Sequence, residues 1–159
     1  MQAFEQGLDI ATGLPGKEQA WEALHKAALS AGTTYLLVAV IPRVLAVQQR
    51  FGPAAAERVL GVAAEHFRKA LFPHDALYRW DGPVFLAILP RTERIDLVRA
   101  MARRFAGEKL EIPLEVGNHT LLFPASASWA VFQFLPPLED LMRVVNAFVA
   151  VQISSAAFH

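Results

Sequence analysis

At 159 residues the chain is near the modal size of one domain, and with 54% hydrophobic and 19% charged residues it has enough apolar material for a core and too little charge for disorder. Lys plus Arg (15) balance Asp plus Glu (15), which argues against a nucleic-acid binder acting through bulk phosphate attraction. Cysteine is absent, which excludes disulfides, thiolate nucleophiles and cysteine-based metal sites.

In chain order, residues 1–13 read as a lead-in. The first strong helical pattern opens near Pro15, a residue favoured in a first turn because its missing N–H is not needed there. Trp21, Leu24, Ala28 and Ala31 follow at helical spacing, and Gly32 is the expected stop. Residues 33–41 form a continuous apolar, β-branched run, the pattern of a strand buried on both faces. Residues 42–51 read as a short helix ended by Gly52. Pro53 opens the next helix, in which Val59, Leu60, Ala63, Phe67 and Leu71 share one stripe as far as Phe72-Pro73. Residues 76–80 and 84–89 are strands on either side of Asp81-Gly82, a strong hairpin signal. Ile95, Val98, Met101, Ala102 and Phe105 mark a helix to about Ala106. Residues 110–116, 120–123 and 125–132 read as strands, with Gly117-Asn118 turning between the first two. Pro136-Pro137 introduces a last helix, residues 138–153.

This order predicts an α/β (α+β) sandwich: helices over a central, mostly antiparallel sheet, close to a split βαβ pattern. The domain is placed at residues 14–155, with a tail at 156–159. The longest clean apolar run, residues 35–41, is too short to span a bilayer, and the N-terminus lacks the order of a signal peptide. The expectation is a cytoplasmic domain without membrane insertion.

Several short motifs then line up. Asp9-Ile-Ala-Thr12-Gly13-Leu14-Pro15 opens the domain, and Phe51-Gly52 ends the helix after the first strand. Asp75-x-x-x-Arg79 precedes the Asp81-Gly82 hairpin, Leu89-Pro90 follows it, and Ser126-Ala-Ser-Trp-Ala130 lies on a later strand. In this order and spacing the chain resembles a GGDEF domain, the fold of diguanylate cyclases. The resemblance covers about residues 9–155 and implies a nucleotide-cyclase-like fold.

The same resemblance implies where chemistry would sit. Synthesis of cyclic di-GMP needs divalent cations held by carboxylates against a triphosphate. Val40 stands where the family's first metal-binding acid ends the first strand, and Pro42 where a second acid follows. The signature pentapeptide reads Asp81-Gly82-Pro83-Val84-Phe85: Pro83 occupies its metal-binding third position, Val84 its acidic fourth, and Asp81 that of its first glycine. Leu45 stands at a phosphate-contacting lysine and Gln152 at a lysine of the last helix. On turn preference alone, Asp81 is the first residue of a two-residue turn.

Two further sets have two readings each. Gln48 and Glu57 match the guanine-reading Asn and Asp of the family, each one methylene longer. An amide plus a carboxylate can pair with a guanine edge, but both residues also suit a solvated helix surface. Asp75 and Arg103 match parts of the family's product-inhibition site, whose leading arginine is Phe72 here. His74 beside them reads as a solvated loop residue or a partial substitute. His25, His66, His119 and His159 show no metal-ligand spacing, and Arg103-Arg104 reads as a solvated helix face.

The expected function is a catalytically inactive GGDEF-like module of signalling or protein interaction, needing no cofactor. The alternative is a non-catalytic sensor of GTP or cyclic di-GMP, with weak nucleotide binding. The apolar positions at the former cleft are expected either to form a partner-binding patch or to pack internally. The last helix is apolar nearly all round, and Val144 and Val151 on its second side are the candidate surface for a protein partner or self-association.

Overall fold

The computed structural model describes residues 8–30, 33–135 and 137–157. Its elements are α1 (Lys17–Leu29), β1 (Thr34–Val40), α2 (Val44–Phe51), α3 (Pro53–Ala70), β2 (Ala76–Arg79), β3 (Val84–Pro90), α4 (Ile95–Ala106), β4 (Glu111–Val116), β5 (His119–Pro124), β6 (Ser128–Gln133) and α5 (Leu138–Ala157). The expected helix stop at Gly32, the Pro136 step and residues 1–7 of the lead-in lie outside the described residues.

One sheet holds the order β2-β3-β1-β6, every neighbouring pair antiparallel. β4 and β5 pair with each other in a separate ribbon. The fold is therefore the expected antiparallel sheet flanked by helices, with one difference: β4 and β5 do not join the main sheet. β1 is central and buried along its whole length, so its alternating side chains feed two cores. Tyr35, Leu37 and Ala39 face Val59, Ala63 and Phe67 of α3 and Val98 and Ala102 of α4. Leu36, Val38 and Val40 face Ala20 and Leu24 of α1 and Leu141 and Val145 of α5.

Local signals account for the joints. Gly82 takes φ 50° in the β2–β3 hairpin, a left-handed conformation that favours glycine. Trp80 N–H donates to Val84 O (2.8 Å) and Val84 N–H to Asp81 O (2.9 Å) across that turn. α2 starts at Val44 rather than Pro42, because Ile41 and Pro42 are used as turn acceptors for the N–H groups of Val44 and Leu45. α5 continues past Ile153 to Ala157, where the sequence offers neither Gly nor Pro to stop it.

Residues 8–13, expected in the lead-in, are tied into the fold. Leu8 bridges Pro15, and Asp9 Oδ2 accepts from Thr12 N–H (3.0 Å), Thr12 Oγ1 (2.8 Å) and Arg79 Nη1 (2.9 Å). This turn lies directly on α3 at Gly61, where a Cβ would sit 2.9 Å from Ala11 O. Gly61→Ala is therefore expected to destabilise the domain by about 1–3 kcal/mol despite the better helix propensity of alanine. Urea unfolding measures this, and an alanine variant at least as stable as wild type would show that the contact can relax.

Candidate functional site

The positions that the sequence marked as a former cleft converge where β1 ends against the β2–β3 hairpin. Val40 and Val84 are direct cross-strand partners, and Val40 also opposes Ser128 of β6. Both valines are closed off, at 0% and 1% exposure, in one cluster with Leu24, Trp80, Leu141 and Val145. Ile41 N–H donates to Pro83 O (3.0 Å), adding one backbone bond beyond the last rung of the ladder. Of the two expectations for these positions, a partner-binding patch is corrected for Val40 and Val84. α1 and α5 cover them, so they pack internally.

Polar groups surround this apolar end without entering it. Asp81 is exposed on the turn and pairs with Lys17 Nζ at 2.5 Å. Lys17 Nζ also lies 4.8 Å from the centroid of the Trp80 ring, and Trp80 packs on Trp21 at 5.4 Å. Arg79 donates from Nε to Gly82 O (2.8 Å) and from Nη1 to Asp9, bracing the hairpin from the opening turn. A groove of about 300 Å³ runs here between Asp9, Lys17, Arg79 and Asp81. Each of its two cations already has a carboxylate partner. Among the described residues no three of His, Asp and Glu gather in a metal-binding arrangement.

Leu45 is 39% exposed on α2, and Pro42 is half-buried before it. Gln48 on α2 and Glu57 on α3 are exposed, and no side-chain hydrogen bond or ion pair engages either among the described residues. Val144 and Val151 face outward from α5, whereas Met142 and Val145 turn into the core.

Asp75 and Arg103, the two residues matched to the family's product-inhibition site, differ in their surroundings. The Asp75 side chain is buried and held by Arg91, Oδ1 to Nη1 at 2.6 Å and Oδ2 to Nη2 at 2.8 Å. Arg103 is exposed on the last turn of α4. The hydrogen bond to Asp75 raises the Arg91 pKa above its ordinary value. Arg91 was missed because sixteen residues separate it from Asp75, and no local motif spans that gap. The hairpin register was the available signal: Ala76 pairs Ile88, which places Asp75 at the strand end that runs into Arg91.

Comparison with known proteins decides the family. The sequence profile described as "Diguanylate cyclase, GGDEF domain" matches residues 7–149. The chain belongs to the GGDEF family. No curated protein matches it by sequence. Solved structures share the fold. The FimX GGDEF domain from Pseudomonas aeruginosa superposes with TM-score 0.80 at 16% identity, covering 94% of either chain. The coiled coil and GGDEF domain of DgcB from Caulobacter crescentus, solved with c-di-GMP, gives 0.76 at 17%, covering 93% of this chain and 81% of that one. The diguanylate cyclase SiaD from Pseudomonas aeruginosa, solved in complex with its activator SiaC, gives 0.73 at 24%. That match covers 98% of this chain and 60% of SiaD, so this chain spans less than two thirds of that relative.

Within this GGDEF fold, the closed state of the β1 end makes a direct expectation. Val40→Asp puts a carboxylate into the apolar cluster of Leu36, Val38, Trp80 and Val84. A loss of about 3–5 kcal/mol is expected in urea unfolding. Unchanged stability would mean that the cluster can open and admit water.

Proposed function

We propose that this GGDEF domain is catalytically inactive and acts as a signalling module through contact with another protein chain. One observation carries the reading: the β1 end and the hairpin meet as a sealed apolar contact, Val40 against Val84 with Pro83 bonded to Ile41. The divalent cations of cyclase chemistry need oxygen donors, and Val40, Pro42, Pro83 and Val84 have no side-chain oxygen. The residues present do not fit those ions. Asp81, the nearest acid on the hairpin, is engaged by Lys17 on the exposed side of the turn.

The purified domain is expected to make no cyclic di-GMP from GTP with magnesium or manganese, followed by chromatography of the products. Val40→Asp is not expected to rescue synthesis, since Pro83, Val84 and Leu45 remain. Metal-dependent product above the no-enzyme control would overturn the reading.

Support for a protein contact comes from α5. Its outward face carries Val144 (52% exposed), Ala147, Ala150 and Val151 (58% exposed), with no charged residue between Arg143 and the end of the helix. SiaD, a structural relative, was solved with a protein activator. The Val144→Glu, Val151→Glu double variant is expected to keep wild-type stability within about 0.5 kcal/mol, because both side chains are already half in water. In sedimentation, a wild type that associates with rising concentration and a double variant that does not would assign the face to self-association. A wild type that stays monomeric would remove self-association and leave a different protein as the partner.

A second reading is a non-catalytic sensor of GTP or cyclic di-GMP. It is favoured by the open, unpaired side chains of Gln48 and Glu57 and by the DgcB structure solved with c-di-GMP. Calorimetry with each nucleotide separates the readings: binding lost in a Gln48→Ala, Glu57→Ala variant supports the sensor, and absence of heat removes it.

A further inference from the structure

The tie between Asp75 and Arg91 is built like a ligand site. The side chains of Asp75 and Arg91 are 0% and 9% exposed, and the guanidinium meets the carboxylate with two parallel N–H donors. Phe72 covers the same guanidinium, its ring centroid 4.6 Å away. Phe72 N–H donates to Asp75 Oδ2 (2.9 Å) and Asp75 N–H to Phe72 O (3.0 Å), so carboxylate and aromatic ring belong to one short turn. Carboxylate edge and ring face together form a planar receptor.

The arginine belongs to a different element and is anchored independently. Its N–H donates to Thr33 O (3.2 Å), and Tyr35 Oη donates to Glu93 O (2.8 Å) two residues on. Arg91 Nη1 also reaches Pro90 O at 2.8 Å, while its Nε is buried without a partner. An orphaned donor is a cost that an apolar contact at this place would not carry, and buried ion pairs add little net stability over such contacts. The geometry is that of recognition rather than of filling.

We propose that Arg91 is a built-in ligand: from within the chain its guanidinium fills the carboxylate-and-aromatic receptor made by Asp75 and Phe72 and shuts it to solvent-borne ligands that present two parallel N–H donors. The contact is autoinhibitory. Three acceptor positions of Asp75 are already used, and the ring face is covered, so an external planar donor can enter only when Arg91 leaves. This goes beyond the proposed function, since it holds for an active or an inactive domain.

The test uses guanidinium ion at low millimolar concentration as the probe, with sodium chloride at equal ionic strength as control. Wild type is expected to show no guanidinium-specific change in Tm. Arg91→Ala opens the receptor and is expected to show a saturable, guanidinium-specific rise of about 3 °C at ten times the dissociation constant. The rise is expected to vanish in the Asp75→Asn, Arg91→Ala double variant. No specific rise in Arg91→Ala, the same rise in wild type, or the same rise in the double variant would each overturn the proposal. If Arg91→Ala does not fold, Arg91→Lys carries the test, since it keeps the charge without the fork. Its Phe72 and Asp75 amides are expected to exchange hydrogen about tenfold faster than in wild type while β1 and β3 keep their rates. Unchanged exchange at those two amides would overturn the proposal.

Discussion

The double burial of β1 is the constraint on which the rest of the domain depends. A strand with both faces closed can carry almost no polar side chain, and residues 35–40 carry none but the Tyr35 hydroxyl, which finds Glu93 O at the sheet end. Its odd-numbered side chains order α3 and α4, and its even-numbered ones order α1 and α5. The phase of that alternation also decides what happens at the strand's end. Val40 is an even position, so it points to the α1 and α5 side, where Leu24, Leu141 and Val145 close over it.

A polar frame holds this apolar end in place from outside. Asp9 folds the opening turn through Thr12 and reaches Arg79, and Arg79 in turn holds Gly82 O at the hairpin tip. Lys17 at the start of α1 holds Asp81 on the same tip. The exposed Lys17–Asp81 pair contributes little to stability by itself, and the Asp9–Arg79 pair is only partly buried. Their effect here is positional: three separate segments fix where the turn stands relative to β1.

Much of the fold was legible because its signals are local. The apolar run of residues 33–41, the Asp81-Gly82 turn and the stripe from Val59 to Phe67 each specify one element, and each stands where the sequence reading put it. Pairing across the chain was less legible. Nothing local distinguishes a β4–β5 ribbon from two more strands of the main sheet; Ile112 and Leu114 settle it by packing into the α3 side of the core. The site follows the same division. The positions around Val40 and Val84 came from a motif, whereas the partner of Asp75 depended on register. The register carries β3 directly into Arg91, and that guanidinium holds the carboxylate.

Register also explains why Val40 and Val84 belong together physically. They face each other across an antiparallel pair, a distance at which two carboxylates repel unless a cation stands between them. An acid at one position beside valine at the other would be a buried charge without a partner. Two apolar residues need no ion, so the helices α1 and α5 can close and exclude water. The intermediate states are the costly ones, and the two positions therefore act as a single unit whose contributions are not additive. The same logic extends to Pro83, which has no N–H to leave unpaired and presents its carbonyl to Ile41, completing a contact in which no polar side chain is left to satisfy.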